Sequence, residues 1–425
     1  MGGMAARRHF FLRALTLLLG LGIGISASGA DLVLQKVPPL TVAQAPNYAQ
    51  NLARLDLGAQ IESDVPADAS SAVPFLSGDP ASVYPLRTGT TRLLISLAKI
   101  ENIDNVAFRN SEAKGTVTIA TSSAKLSPES PQWHEAMQKE LSSGLISARL
   151  GPAEAKYVRL TFNVSNPGRI GNLGVYSAAA VSDFTMPRTR KIAAGTSAEA
   201  VAKVNYNLAD LHAKARTIFV SSGDDLKLAQ NMIDGQPGTA YAFAANDAAP
   251  AAIIDLGRSV PVNRISTFST PGSAVVTFYV LGALPADNTG NPASALQIDS
   301  HTLAAFKTVG TGSDDGNGHV AVNFEETAGR YVMLVWTPST RNPNFSVAEV
   351  AVFGPASNAR LLAANTSGES SEDKTVRDSK DTKDFSKEIP GEGPAEEQAP
   401  GEGPAPELPR PPPFVFIPKV APTSF

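Results

Sequence analysis

The sequence predicts an all-β protein: two tandem antiparallel β-sandwiches followed by an acidic, proline-rich disordered tail. Three observations lead there. The same landmarks occur twice, in the same order, between residues 45 and 356. Both copies are built from short runs of β-branched and aromatic residues bounded by Gly, Pro, Asn, Asp or Ser, the pattern of strands and turns. Beyond residue 356 the composition turns acidic and proline-rich.

Residues 1–30 read as an export signal. MGGMAARRHFFLR carries three arginines and no acid, and it precedes the apolar ALTLLLGLGIGIS and the small residues SASGA. These are an n-region, an h-region and a cleavage site in order, with cleavage expected before Asp31. RRHFF resembles a twin-arginine signal, although Ala6 stands where that pattern prefers Ser or Thr, so the twin-arginine and general secretory routes both stand. An uncleaved signal anchor is the other reading. The apolar run is shorter than the roughly 20 residues that span a bilayer, and no second stretch of that length follows. The mature protein is therefore expected in the periplasm, on the cell surface or secreted, without a transmembrane span.

After an N-terminal extension (31–44), the first copy covers 45–183 and the second 200–356, joined by a linker (184–199). NLARL (51–55) is matched by NLADL (207–211), and FLSGDPASVY (75–84) by MIDGQPGTAY (232–241). LLISL (93–97) is matched by AIIDL (252–256), KYVRLTF (156–162) by RYVMLVW (330–336), and IGNLGVYS (170–177) by VAEVAVFG (347–354). Such self-similarity marks a duplication, and the second copy carries its extra length between its middle and its end. Leu97 and Leu256, like Tyr157 and Tyr331, should occupy equivalent strands. GTVTIATS, AVVTFYVLG and HVAVNF alternate as half-buried strands do. Helical patterning is confined to short stretches such as WHEAMQKELS (133–142).

The tail, 357–425, holds 8 Lys/Arg against 12 Asp/Glu, which accounts for the whole net charge of −4, and 11 of the 32 prolines. A near repeat begins at Pro390 and Pro400. Such a segment buries too little apolar surface to offset its ordering entropy, so it is expected to be disordered or extended.

Composition excludes several functions. Charged residues are 18% of the chain, with no basic field to hold a nucleic-acid backbone. Without cysteine there is no disulfide, thiolate nucleophile or Cys-based zinc site. The histidines at 9, 134, 212, 301 and 319 are scattered. HEAM (134–137) lacks the second histidine of a zincin motif, no GxSxG elbow occurs, and the glycine-rich GTGSDDGNGH (310–319) has no Lys-Ser/Thr after it. It reads as a hairpin or long loop.

The order of DG-P-T-Y, IDLG (254–257), the spaced Val262 and Ile265, YV-L, and the closing EVAVFG resembles the discoidin domain, the coagulation-factor type C module. The resemblance covers nearly all of the second copy and is weaker in the first, where Ser77 and Asn172 replace Asp and Glu. It implies a jelly-roll, galactose-binding-like fold and non-catalytic binding of glycans or surface polymers through loops at one end of the sandwich. It also implies a calcium site in the second copy, where Asp234, Thr239 and Glu349 stand in the places of the family's oxygen ligands. A turn Asp hydrogen-bonding its own backbone, beside an exposed Glu, is the alternative. The first copy, with Ser77, Ser82 and Asn172, should not hold the ion.

Candidate sugar-contacting residues are Trp133, in the polar segment SPESPQWHEA, and Arg341, Asn342, Asn344 and Phe345, in the loop TPSTRNPNFS. A ring face stacks on a pyranose and the guanidinium and amides meet hydroxyls; loop packing and a solvated turn are the plainer readings. The favoured function is an exported, non-catalytic protein whose tandem sandwiches bind a glycan or envelope polymer, gaining avidity from two linked sites. The alternative is a structural or assembly protein of the envelope that binds protein partners through the sandwiches and the proline-rich tail. A hydrolase accessory subunit is a third reading.

Overall fold

The computed structural model describes residues 31–64, 72–177, 207–272, 274–285, 295–314, 316–339 and 344–355. The expected signal at 1–30, the expected linker at 184–199 and the expected tail at 357–425 lie outside the described residues. In chain order the strands are β1 (Leu32–Lys36), β2 (Gln60–Ser63), β3 (Val83–Leu86), β4 (Gly89–Ser111), β5 (Lys114–Ser122), β6 (His134–Glu140), β7 (Gly144–Asn166) and β8 (Gly168–Ser177). The second repeat supplies β9 (Arg216–Val220), β10 (Tyr241–Ala242), β11 (Ala251–Ser269), β12 (Val275–Leu281), β13 (Ala295–Ile298), β14 (Thr308–Ser313), β15 (His319–Thr337) and β16 (Ser346–Phe353). Among the described residues a short α-helix, α1 (Ser300–Ala305), is capped by Asp299, whose side chain accepts from the Thr302 amide.

In the first repeat β4 and β7, 23 residues each, pair antiparallel along most of their length and break register between Ser96 and Glu101 and between Ile103 and Asn105 of β4. Bulges bend strands from one layer to the other. The first half of β4 therefore lies with β2, β5, β6 and the second half of β7, while its second half lies with β8 and the first half of β7. β3 extends the β8 edge. Between the layers Leu93, Ile95, Leu160 and Phe162 meet Val106, Phe108, Ile170 and Val175, and Phe108 packs edge-on against Phe162, centroids 5.7 Å apart.

The second repeat reproduces this arrangement. β11 breaks register between Asp255 and Val260 and between Val262 and Arg264, and it pairs with β9 through its first half and with β16 through its second. β10, β12 and β14 take the places of β3, β5 and β6. Ser96 pairs with Tyr157 as Asp255 pairs with Tyr331. Asn51 Oδ1 accepts from the Ala53 and Val175 amides, and Asn207 Oδ1 accepts from Ala209 and Val352. Both repeats are antiparallel β-sandwiches, and the shared irregularities are those of a duplicated unit.

Two differences stand out. Residues 134–140 form an edge strand and not a helix: β6 pairs with β5, and its charged residues point largely outward. Long charged side chains blunt such an edge, and their spacing mimics a helical face. In the second repeat the extra length supplies β13 and α1, and β1 of the N-terminal extension pairs with both β13 and β9. Leu32, Leu34, Leu296 and Ile298 thereby cover the outer face of this sandwich in a separate core with Ala251, Ile253 and Met333.

Candidate functional site

The duplicated loops 77–82 and 234–239 lie where the sandwiches meet. Asp234 ends the 3-10 helix Leu226–Ile233 and is buried. Its carboxylate accepts from the Gln236 amide at 2.9 Å and from the Thr239 hydroxyl at 3.0 and 2.9 Å. Glu349 reaches the same place from β16, where it pairs with Phe268. It is buried, accepts from the Gly235 amide, and leaves Oε1 without a hydrogen-bond partner. Burial, then the charge of Asp234, pushes Glu349 well above the usual carboxylate range, and burial does the same to Asp234. Nearby Asp210 caps the next turn and accepts from the His212 amide at 2.7 Å. Burial pushes its carboxyl up, but the His212 contacts outweigh this and hold it below the ordinary value.

Asp234, Thr239 and Glu349 thus share one buried site. Two carboxylates, one of them with an orphaned oxygen, and a hydroxyl suit a hard cation.

Two residues of the first sandwich close this site, and motif matching alone misses both. Arg54 donates through Nη2 to the Gly235 carbonyl and through Nη1 to the Leu173 carbonyl, each at 3.4 Å. Tyr176 donates to the same Gly235 carbonyl at 2.8 Å. The signal for Arg54 is in the duplication: NLARL holds arginine where NLADL holds Asp210. Around them the contact continues. Asp79 binds Arg264 Nε and Nη2 at 2.9 and 2.7 Å and Ser266 Oγ at 2.7 Å. The Arg109 guanidinium lies 4.6 Å over the Phe268 ring, which stacks on His319 at 4.4 Å.

The candidate sugar-contacting residues are dispersed. Phe345 is buried against Phe243 and Trp336 and presents no face to a ligand. Trp133 is buried as well: Nε1 donates to the Ser127 carbonyl at 2.9 Å, and Arg159 lies 4.8 Å over its ring. It is a packed residue and not an open platform, because the 123–133 loop folds onto the outer face of the sandwich. Asn344 is exposed, and Arg341 and Asn342 lie outside the described residues.

A hollow of about 410 Å³ opens at one end of the first sandwich, between the turns that lead into β5 and β7. Ala113 and Leu141 are its buried apolar lining, and Glu112, Lys114, Glu140 and Ser142 stand on its rim. Buried Asn110 ties the two turns together, its amide donating to the carbonyls of Ala113 at 2.8 Å and Ser142 at 3.0 Å. Glu112 holds φ at 71°, a conformation costly for a residue with a Cβ and often found at binding sites. In the second sandwich Asp314 takes the place of Leu141: the Leu141 amide bonds Gly115 and the Asp314 amide bonds Ala274, both at 2.9 Å. The Asp314 carboxylate turns inward to accept from the amides of Gly272, Gly316 and Gly318.

No family model matches the chain, and a search of curated proteins finds no match. Among solved structures it is similar to the two CBM32 domains of a Clostridium perfringens protein in complex with GalNAc, at 13% identity over 76% of this chain and 96% of that one, TM-score 0.26. It is also similar to the allantoicase of Saccharomyces cerevisiae, at 12% identity over 75% and 99%, TM-score 0.27. A Ruminococcus gnavus GH29 fucosidase in complex with fucose matches at 17% identity over 36% of this chain, TM-score 0.26, and the chain spans 27% of that protein. At such scores the likeness carries no statement of ligand or reaction.

Proposed function

We propose that the chain is a non-catalytic binding protein, exported to the envelope or beyond it, that recognises a glycan or envelope polymer through the end of its first sandwich. The observation that carries this reading is the hollow stapled by Asn110. Its chemistry is that of a sugar site: carboxylates on the rim accept from hydroxyls and an ammonium donates to them. Pre-tied turns lower the ordering cost of binding. Export rests on the signal at residues 1–30, and a tethering role for the proline-rich tail, with protein partners, belongs to the same proposal.

The calcium that the discoidin resemblance implies would be held by Asp234, Thr239 and Glu349. It would supply positive charge to a buried acidic site and do no chemistry.

A glycan array probed with the full mature chain tests the proposal. Binding to a defined set of glycans is expected, lost at least tenfold in Glu140→Ala and Lys114→Ala with melting temperature unchanged. An array without hits, or hits that survive both substitutions, would remove the hollow as the site.

A further inference from the structure

We infer that Arg54 of the first sandwich is the resident cation of the second sandwich's acidic site, so that docking of the two sandwiches replaces a bound calcium ion. Three observations converge on this.

The first is placement. The guanidinium lies between the two equivalent glycines of the duplicated loops. A Cβ on Gly78 would come within 3.3 Å of Arg54 Nε and 3.4 Å of Cζ, and a Cβ on Gly235 within 3.3 Å of Nη2. Both glycines have positive φ, 81° and 69°, so each loop turns its backbone aside and leaves a slot the width of a planar group. Its hydrogen bonds to Gly235 and Leu173 hold the arginine there, one carbonyl from each sandwich.

The second is the pattern of replacement between the copies. The second copy has Asp210, Asp234, Thr239 and Glu349; at the matching positions the first has Arg54, Ser77, Ser82 and Asn172. The copy that has lost both implied metal carboxylates is the one that has gained the base, and it presents that base to its sister. Loss of a metal site alone would leave position 54 free to be any residue that caps a turn.

The third is need. Glu349 has an orphaned oxygen in a buried place beside a second buried carboxylate. Unpaired buried charge is among the costliest features a fold can carry. Arg54 reaches this place through the carbonyl of Gly235, the residue that follows Asp234 and whose amide Glu349 accepts from. Calcium and the guanidinium would both bring positive charge beside the 234–239 loop and Glu349, so the site takes one or the other.

The test is thermal unfolding of the full mature chain in chelator and in calcium, with calcium titration by calorimetry alongside. Wild type should melt at the same temperature in both and bind no calcium. Arg54→Gln should melt lower in chelator, by about 3 °C or more, and recover most of the loss when calcium is added, with heat of binding now visible. Arg54→Lys, which keeps the charge, should lie between the two. Should Arg54→Gln fail to fold in chelator, adding Glu349→Gln to it should restore folding by removing the uncompensated charge. Calcium stabilising wild type as much as Arg54→Gln would overturn the inference, as would an Arg54→Gln protein that melts like wild type without calcium.

Discussion

At the scale of single residues the duplication works as an internal control, because each side chain in one copy can be compared with its counterpart. Asp255 is an example. It accepts from Arg330 at 2.9 and 2.8 Å and from the Gly257 amide, whereas Ser96 and Lys156 stand at the matching positions of the first copy. Burial tends to raise the Asp255 carboxyl, but the Arg330 and Gly257 hydrogen bonds outweigh it and hold it below the ordinary value. A depressed folded-state pKa contributes stability above the unfolded range near about 4 and loses it as pH falls through the folded value. Arg330→Gln should therefore melt below wild type at neutral pH, and the gap should close in acid; a gap that persists unchanged below that range would assign the effect to packing of the arginine stem. The site residues differ in how far the sequence discloses them. Asp234 and Glu349 are legible from motif order and Arg54 from its swap with Asp210, but the hollow is not, since its two turns lie some 30 residues apart and are tied by the buried Asn110 (32 residues from Ser142) and by the Leu141 amide on Gly115.

At the scale of elements, β1 has a role that its own residues do not disclose. LVLQK alternates buried and exposed residues as an edge strand does, yet nothing local says which sheet it joins. It joins the second sandwich because that outer face is apolar, with Ala251, Ile253 and Met333 where the first copy has Arg92, Leu94 and Arg159. The first copy covers its more polar face differently, with the 123–133 loop pinned by Arg92 to Glu129 at 2.9 Å and by Trp133 beneath Arg159. Deleting residues 31–36 should thus destabilise the second sandwich by about 3–6 kcal/mol, the loss of two buried leucines at about 1.5–3 kcal/mol each. It should also expose the edges of β9 and β13, so the truncated chain should bind a hydrophobic dye and scatter light, while an unaltered monomer with an unchanged denaturation midpoint would argue that β1 is dispensable. The short strands were legible from alternation; the full lengths of β4 and β7 were not, because bulges interrupt the alternation where the strands change layer.

For the molecule as a whole, the contact between sandwiches is made of charged and ring contacts, Arg54, Asp79 and Arg109 reaching from the first onto Gly235, Arg264 and Phe268 of the second. Interfaces of that kind couple domains, and Tyr48 of the first copy also enters the core of the second sandwich. Scanning calorimetry should show a single transition for wild type and two for the variant carrying Arg54→Gln, Asp79→Asn and Arg109→Ala; two transitions in wild type would show the sandwiches to be thermodynamically independent. The course of β1 adds a matter of timing. Leu32 pairs with Ile298 and Gln35 with Val220, so the first strand emerges from the ribosome well before either neighbour exists and must wait while the whole first sandwich closes behind it. Loop-closure entropy grows slowly with length, so the burden falls on rate: a nascent chain holds an unpaired apolar strand, and later an unfilled slot between β9 and β13, for as long as synthesis takes. A second copy's leading strand fits that slot as well as the chain's own, which gives the fold an inherent route to strand-exchanged dimers at high concentration.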